Sequence, residues 1–155
     1  MTGRVLAVDY GARRLGLALS DPTGVALEPL PAVVRRGDEQ AAREVAEVAR
    51  RAGVRIVVIG LPLRTDGTEG PEATAARAFG RRLAGYTEAA VRLWDERFTT
   101  RQAERLLAGA GVRRERRRTV RDGLAAALLL QSYLEAERNA AGGSREDGPS
   151  PPGVP

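Results

Sequence analysis

The 155-residue chain has no cysteine, no histidine and no lysine, and few aromatic residues. Without cysteine there are no disulfides, thiolate metal sites or thiol nucleophiles. Without histidine there is no Ser-His-Asp chemistry, no imidazole-bound zinc and no ordinary general base near neutral pH. Any catalysis must run on carboxylates, hydroxyls, backbone or a bound hard metal. Aromatics make up 4% of the chain, so valine, leucine and alanine carry the packing. Long apolar runs are also missing. The longest, residues 124–130, is far too short to cross a bilayer, and the first residues lead directly into a strand pattern with no signal peptide. These features predict a cytoplasmic protein with no membrane partner.

What is present is arginine. All 25 basic residues are Arg, against 20 acids, for a net charge of +5. The uniform choice reads first as the mark of a GC-rich genome. It still matters physically, because the guanidinium fork matches phosphate oxygens in pairs. The segment RRERRRTVR, 113–121, holds six Arg and one Glu and so carries the whole excess, leaving 19 Arg and 19 acids elsewhere. Such a concentrated run is either a solvated loop or a surface for a phosphate-rich partner.

The apolar spacing predicts strands over 4–10 and 15–20 joined by a tight turn, and a third over 25–35. Pro29 and Pro31 confine the third to a sheet edge. The period then becomes helical over 38–52, with Ala41, Val45, Val48 and Ala52 in phase. VRIVVIG, 54–60, reads as a central strand covered on both faces. A helix follows from Pro71 to about residue 84, with Ala75, Phe79 and Leu83 on one side. A fifth strand spans 89–94, and Thr99 with Gln102 forms a capping box for a helix to about 108. The last helix, 120–138, is apolar nearly all round at 124–130 and so reads as deeply buried. The segment 113–118 reads as a mobile loop. Residues 139–155 are rich in Gly, Pro and Ser and read as a disordered tail after one domain, 1–138. The pattern is one α/β domain with a mixed five-stranded sheet, three antiparallel strands and two reached by parallel crossovers.

Three acids fall at element ends. Asp9 closes the first strand, Asp95-Glu96 closes the fifth, and Asp122 lies in the first turn of the apolar helix. Strand ends of such a sheet gather at one rim, where sites are commonly built. Carboxylates converging there repel unless a cation neutralises them, and an all-oxygen set selects Mg²⁺ or Mn²⁺. Each acid also has an ordinary explanation. Asp9 suits a turn, Asp122 suits a helix N-terminus, and Asp95 or Glu96 can pair with Arg97 on the surface.

LAVDYGARRLGLALSD, IGLPLRTDGTEGP, DERFTTRQAERLL and DGLAAALLLQSYLE occur in that order between residues 4 and 137. They resemble four blocks of the YqgF (RuvX) family. The resemblance implies a ribonuclease H-like fold related to RuvC-type resolvases. Family members are described as nucleases that process the 5′ end of precursor 16S ribosomal RNA, and some as resolvase-like nucleases acting on branched DNA. It further implies that Asp9, Glu96 and Asp122 form a catalytic, metal-binding set. Asp95 is a possible fourth ligand, although adjacent strand residues face opposite sides. Two departures stand out: the basic segment is all Arg, and Arg121 occupies a position where an apolar residue is usual.

The candidate nucleic-acid contacts are Arg13 and Arg14 in the hairpin turn, Arg97 beside Glu96, and Arg113, Arg114, Arg116, Arg117 and Arg118. Trp94 and Phe98 can stack on a base, although a strand position suits Trp94 to core packing. Asp66-Gly67-Thr68 reads first as a turn. The expected function is a Mg²⁺- or Mn²⁺-dependent nuclease for structured RNA, acting as a monomer or homodimer. The rivals are a junction-resolving DNA endonuclease, a non-catalytic RNA-binding assembly factor, and an actin-like kinase fragment. The kinase needs two such domains, and 155 residues supply one.

Overall fold

A computed structural model of the chain describes the backbone of residues 3–96 and 114–143, with side chains over 3–96 and 123–141. The elements run β1 (Arg4–Tyr10), β2 (Arg14–Ser20), β3 (Leu27–Val34), α1 (Asp38–Ala52), β4 (Val54–Leu61), α2 (Pro71–Ala84), β5 (Ala90–Asp95) and α3 (Arg114–Gly143). The strands form one sheet in the order β3-β2-β1-β4-β5. β1 to β3 make the antiparallel meander, while β4 runs parallel to both β1 and β5. The expected mixed sheet is therefore present, with the proline-bearing β3 at its edge.

Alternation along β1 splits the core in two. Leu6 and Val8 join Leu15, Leu17, Val57, Ile59, Phe79 and Leu93 beneath α1 and α2. Val5 and Ala7 join Ala18, Ile56, Val58, Trp94, Ala126, Leu129, Leu130 and Tyr133 beneath α3. The continuous β-branched run of β4 follows from this, because both its faces are covered. Each fully buried Val, Leu or Phe contributes about 1.5–3 kcal/mol relative to exposure, so the two layers supply most of the driving force.

α1 ends at Gly53, whose φ of 67° is left-handed, and Pro71 opens α2. The buried side of α2 is Ala73, Ala76, Phe79 and Leu83, so Ala76 rather than Ala75 completes the stripe. The larger corrections concern α3. It begins at Arg114, so 114–118 is helical backbone and not a loop. It also continues to Gly143, past the expected end at 138. Leu124, Ala125, Ala127 and Leu128 are only partly buried, so the apolar run is not enclosed on every side among the described residues. The capping box at Thr99, the helix to 108 and the tail beyond 143 lie outside the described residues. No described helix is long and apolar enough to cross a membrane.

α3 is oriented by two contacts. Glu137, near its end, bonds Arg55 at the start of β4 at 2.9 Å. Leu129 lies against Gly60, near the end of β4. The helix therefore runs antiparallel to β4, and its earlier turns lie toward the rim where β1, β4 and β5 end.

Candidate active site

Because β1, β4 and β5 are parallel, their C-terminal ends share one edge of the sheet. Val8 pairs with Ile59, and Leu61 with Asp95. Asp9, Gly60 and Glu96 therefore come from neighbouring strand ends, in the order β1, β4, β5. Asp9 continues the Val5-Ala7 face and Gly60 the Ile56-Val58 face, both on the α3 side. Glu96, just past β5, reaches back so that its Oε1 covers the position a side chain on Gly60 would take.

This placement governs its chemistry. Burial, then the charge of Asp9, then that of Asp95, push the Glu96 carboxyl up to about 7. The structure thus brings Asp9 and Glu96 into mutual electrostatic contact. Asp95 is 1% exposed and follows the parity of Leu93, on the face away from α3. It acts on Glu96 as a neighbouring charge from the other side of the strand. Asp122 lies in the third turn of α3, not the first, so the N-terminal cap explanation does not hold for it. It precedes Leu129 by seven residues, about 10 Å along the axis toward the shared rim. Its side chain lies outside the described set. Among the described residues, no three acids already stand close enough together to hold an ion.

The turn between β1 and β2 is tied down from outside. Gly11 is required there, since a Cβ would stand 2.5 Å from the Arg14 carbonyl oxygen. Arg35 donates its backbone N–H to the Arg13 carbonyl at 2.8 Å. Its guanidinium also donates to the Ala12 carbonyl at 2.8 Å. The same side chain bonds Asp38 at 2.8 Å and lies 5.3 Å from the centre of the Tyr10 ring. Tyr10 in turn donates its hydroxyl to Asp38 at 2.7 Å. Burial first, and that hydrogen bond second, push the Tyr10 hydroxyl up to about 12. Burial alone would raise Asp38, but the bonds from Tyr10 and Arg35 outweigh it and hold it below the ordinary value. This clamp fixes the turn that carries Arg13, which is exposed, and Arg14, which is half-buried. Sequence reasoning missed it. Arg35 follows an edge strand and Asp38 opens a helix, and only the fold makes them neighbours of Tyr10.

Trp94 is 2% exposed, donates its indole N–H to Ser132 at 3.0 Å, and meets Tyr133 edge-on at 5.2 Å. It is a core residue and not a stacking platform. Asp66 accepts from the backbone N–H and hydroxyl of Thr68 at 3.0 and 2.7 Å, which makes it a turn residue. Arg97, Phe98 and Arg113 lie outside the described residues.

Comparison with known proteins agrees with this architecture. A relative from Pelotomaculum thermopropionicum, named "Putative pre-16S rRNA nuclease", is 43% identical over 153 residues, 96% of this chain and 99% of its own. One of the same name from Symbiobacterium thermophilum is 45% identical over 86% of this chain and 92% of its own. Among solved structures, T. thermophilus RuvC in complex with Holliday junction substrate superposes with a TM-score of 0.54 at 17% identity. It covers 88% of this chain and 96% of its own. The Fowlpox virus resolvase with substrate Holliday junction DNA gives 0.53 at 15% identity, over 88% and 99%. These likenesses show the ribonuclease H-like fold. The family model described as RuvX, Holliday junction resolvase, matches residues 3–136, and the chain belongs to that family.

Proposed function

We propose that the protein is a divalent-metal-dependent nuclease that processes the 5′ end of precursor 16S ribosomal RNA in the cytoplasm. The observation that carries this is the pairing of Asp9 with Glu96 at the strand-end rim, in a chain with no histidine or cysteine to do chemistry otherwise. The named relatives, similar over nearly their whole length, supply the RNA substrate.

The residues fit a hard cation. The donors are all oxygen, the set a hard cation takes, and burial beside the charges of Asp9 and Asp95 holds the Glu96 carboxyl up at about 7, a shift that a nearby cation would oppose. Asp9, Glu96 and Asp122 would hold Mg²⁺ or Mn²⁺, with Asp95 acting through its charge. Bound there, such ions supply an activated water and stabilise the leaving oxygen of a phosphodiester. Glu96, held up at about 7, would release its carboxyl proton to solvent on binding such an ion. Arg13 and Arg14, on a turn that cannot drift, hold phosphates beside the rim. The arginines of 114–118 lead into Asp122 along one helix and would draw the backbone toward it.

The test is cleavage of labelled precursor ribosomal RNA, single-stranded RNA and four-way DNA junctions with Mg²⁺ or Mn²⁺. Cleavage of the precursor, reduced at least about 100-fold by Asp9→Asn, is the expected result. Equal cleavage by the variant would remove the assignment. Preferential cleavage of the junction by a stable dimer would favour the resolvase reading, which the family description keeps in view.

A further inference from the structure

Gly60 interrupts a strand built of β-branched residues, where glycine weakens pairing. Its backbone does not require it. It pairs regularly with Trp94, and the left-handed glycines among the described residues are Gly3, Gly24, Gly53 and Gly67. Space is what requires it. A Cβ built on Gly60 would fall on Glu96 Oε1, and would stand 3.3 Å from Leu129 Cδ2 and 3.4 Å from Glu96 Cβ. Gly60 is thus the floor of a slot whose wall is Leu129 and whose occupant is the Glu96 side chain. Asp9 lies one strand away on the same face, because Val8 pairs with Ile59.

We infer that Gly60 is a positioning residue: its missing side chain lets the Glu96 carboxylate fold back across β4 toward Asp9, so that two strands separated by a third present their acids to one ion. The inference rests on the nuclease assignment for its purpose, but its geometry can be tested apart from catalysis. The obstructed atom is the far end of a flexible side chain. An added methyl therefore moves the carboxylate more readily than it unfolds the protein, and Leu129 yields by a few tenths of an ångström.

The experiment compares wild type, Gly60→Ala, Asp9→Asn and the control Gly37→Ala, whose Cβ meets open space. The readouts are crystal structures, melting temperature, Mn²⁺ titration calorimetry and RNA cleavage. In Gly60→Ala the Glu96 carboxylate should be displaced and Mn²⁺ affinity should fall at least about tenfold, with melting within a few degrees of wild type. Gly37→Ala should match wild type throughout. In a Glu96→Asp background, whose shorter carboxylate does not reach over residue 60, the added methyl should cost less than about twofold. An unmoved Glu96, or unchanged affinity in Gly60→Ala while Asp9→Asn loses it, overturns the inference and leaves the nuclease assignment standing. A wild type that neither binds Mn²⁺ nor cuts overturns both.

Discussion

With its carboxyl pushed up to about 7, Glu96 keeps a proton at a pH where an exposed glutamate has lost it. The folded state binds that proton more tightly than the unfolded chain, whose value is the ordinary 4.5. This group therefore costs no stability below about pH 4.5. Stability declines as pH rises through the interval to about 7, and the loss levels off above it. Metal-free protein should thus melt progressively lower from about pH 5 to about pH 7.5 than a Glu96→Gln variant normalised at about pH 4.5. Added Mn²⁺ should reverse the loss, and its affinity should weaken by up to about tenfold per unit as pH drops below about 7. Parallel pH profiles for the two proteins would show that the carboxyl is not buried against Asp9 as described.

Between elements, the clamp of Tyr10, Arg35 and Asp38 joins the end of β1, the end of β3 and the start of α1. It decides where the Arg13 turn stands. Tyr10→Phe removes one bond to a charged acceptor and should cost about 1 kcal/mol in urea unfolding. Arg35→Ala should cost a similar amount, since its ion pair is partly exposed, and should also raise KM by releasing the turn. The double variant should cost less than the sum, because both residues serve one acceptor. An additive cycle would mean that the two act independently. The clamp was illegible in the sequence because its members belong to three elements. The pleat of β1, by contrast, was legible, since every second residue of 4–10 belongs to one face whatever packs above it.

Across the whole molecule, the +5 net charge equals that of the 113–121 segment. The loop expected there is helical from Arg114, which changes what the arginines can do together. Helical spacing puts positions 114, 117, 118 and 121 along one stripe and 116 on the other side. If RNA lies along this segment, one phosphate track would meet positions 114, 117 and 118 and not 116. Replacing Arg114, Arg117 and Arg118 by Ala should flatten the salt dependence of RNA binding by about 2, at about 0.7 for each phosphate that the variant leaves without its arginine. Arg116→Ala should change it by less than about 0.7. An equal effect from Arg116 would argue for a disordered cluster binding by net charge alone.

By itself the sequence determined the alternation of β1, the doubly covered β4, the proline-marked edge, the oxygen-only chemistry and the acids at strand ends. Each follows from local periodicity or from which residue types are absent. Tertiary structure alone decided that Glu96 folds back over β4 toward Asp9, that Gly60 leaves the room for it, and that Asp122 stands in the third turn of α3 and not the first. Those are matters of register, strand order and helix extent. They depend on long-range pairing between segments dozens of residues apart, which no local pattern encodes.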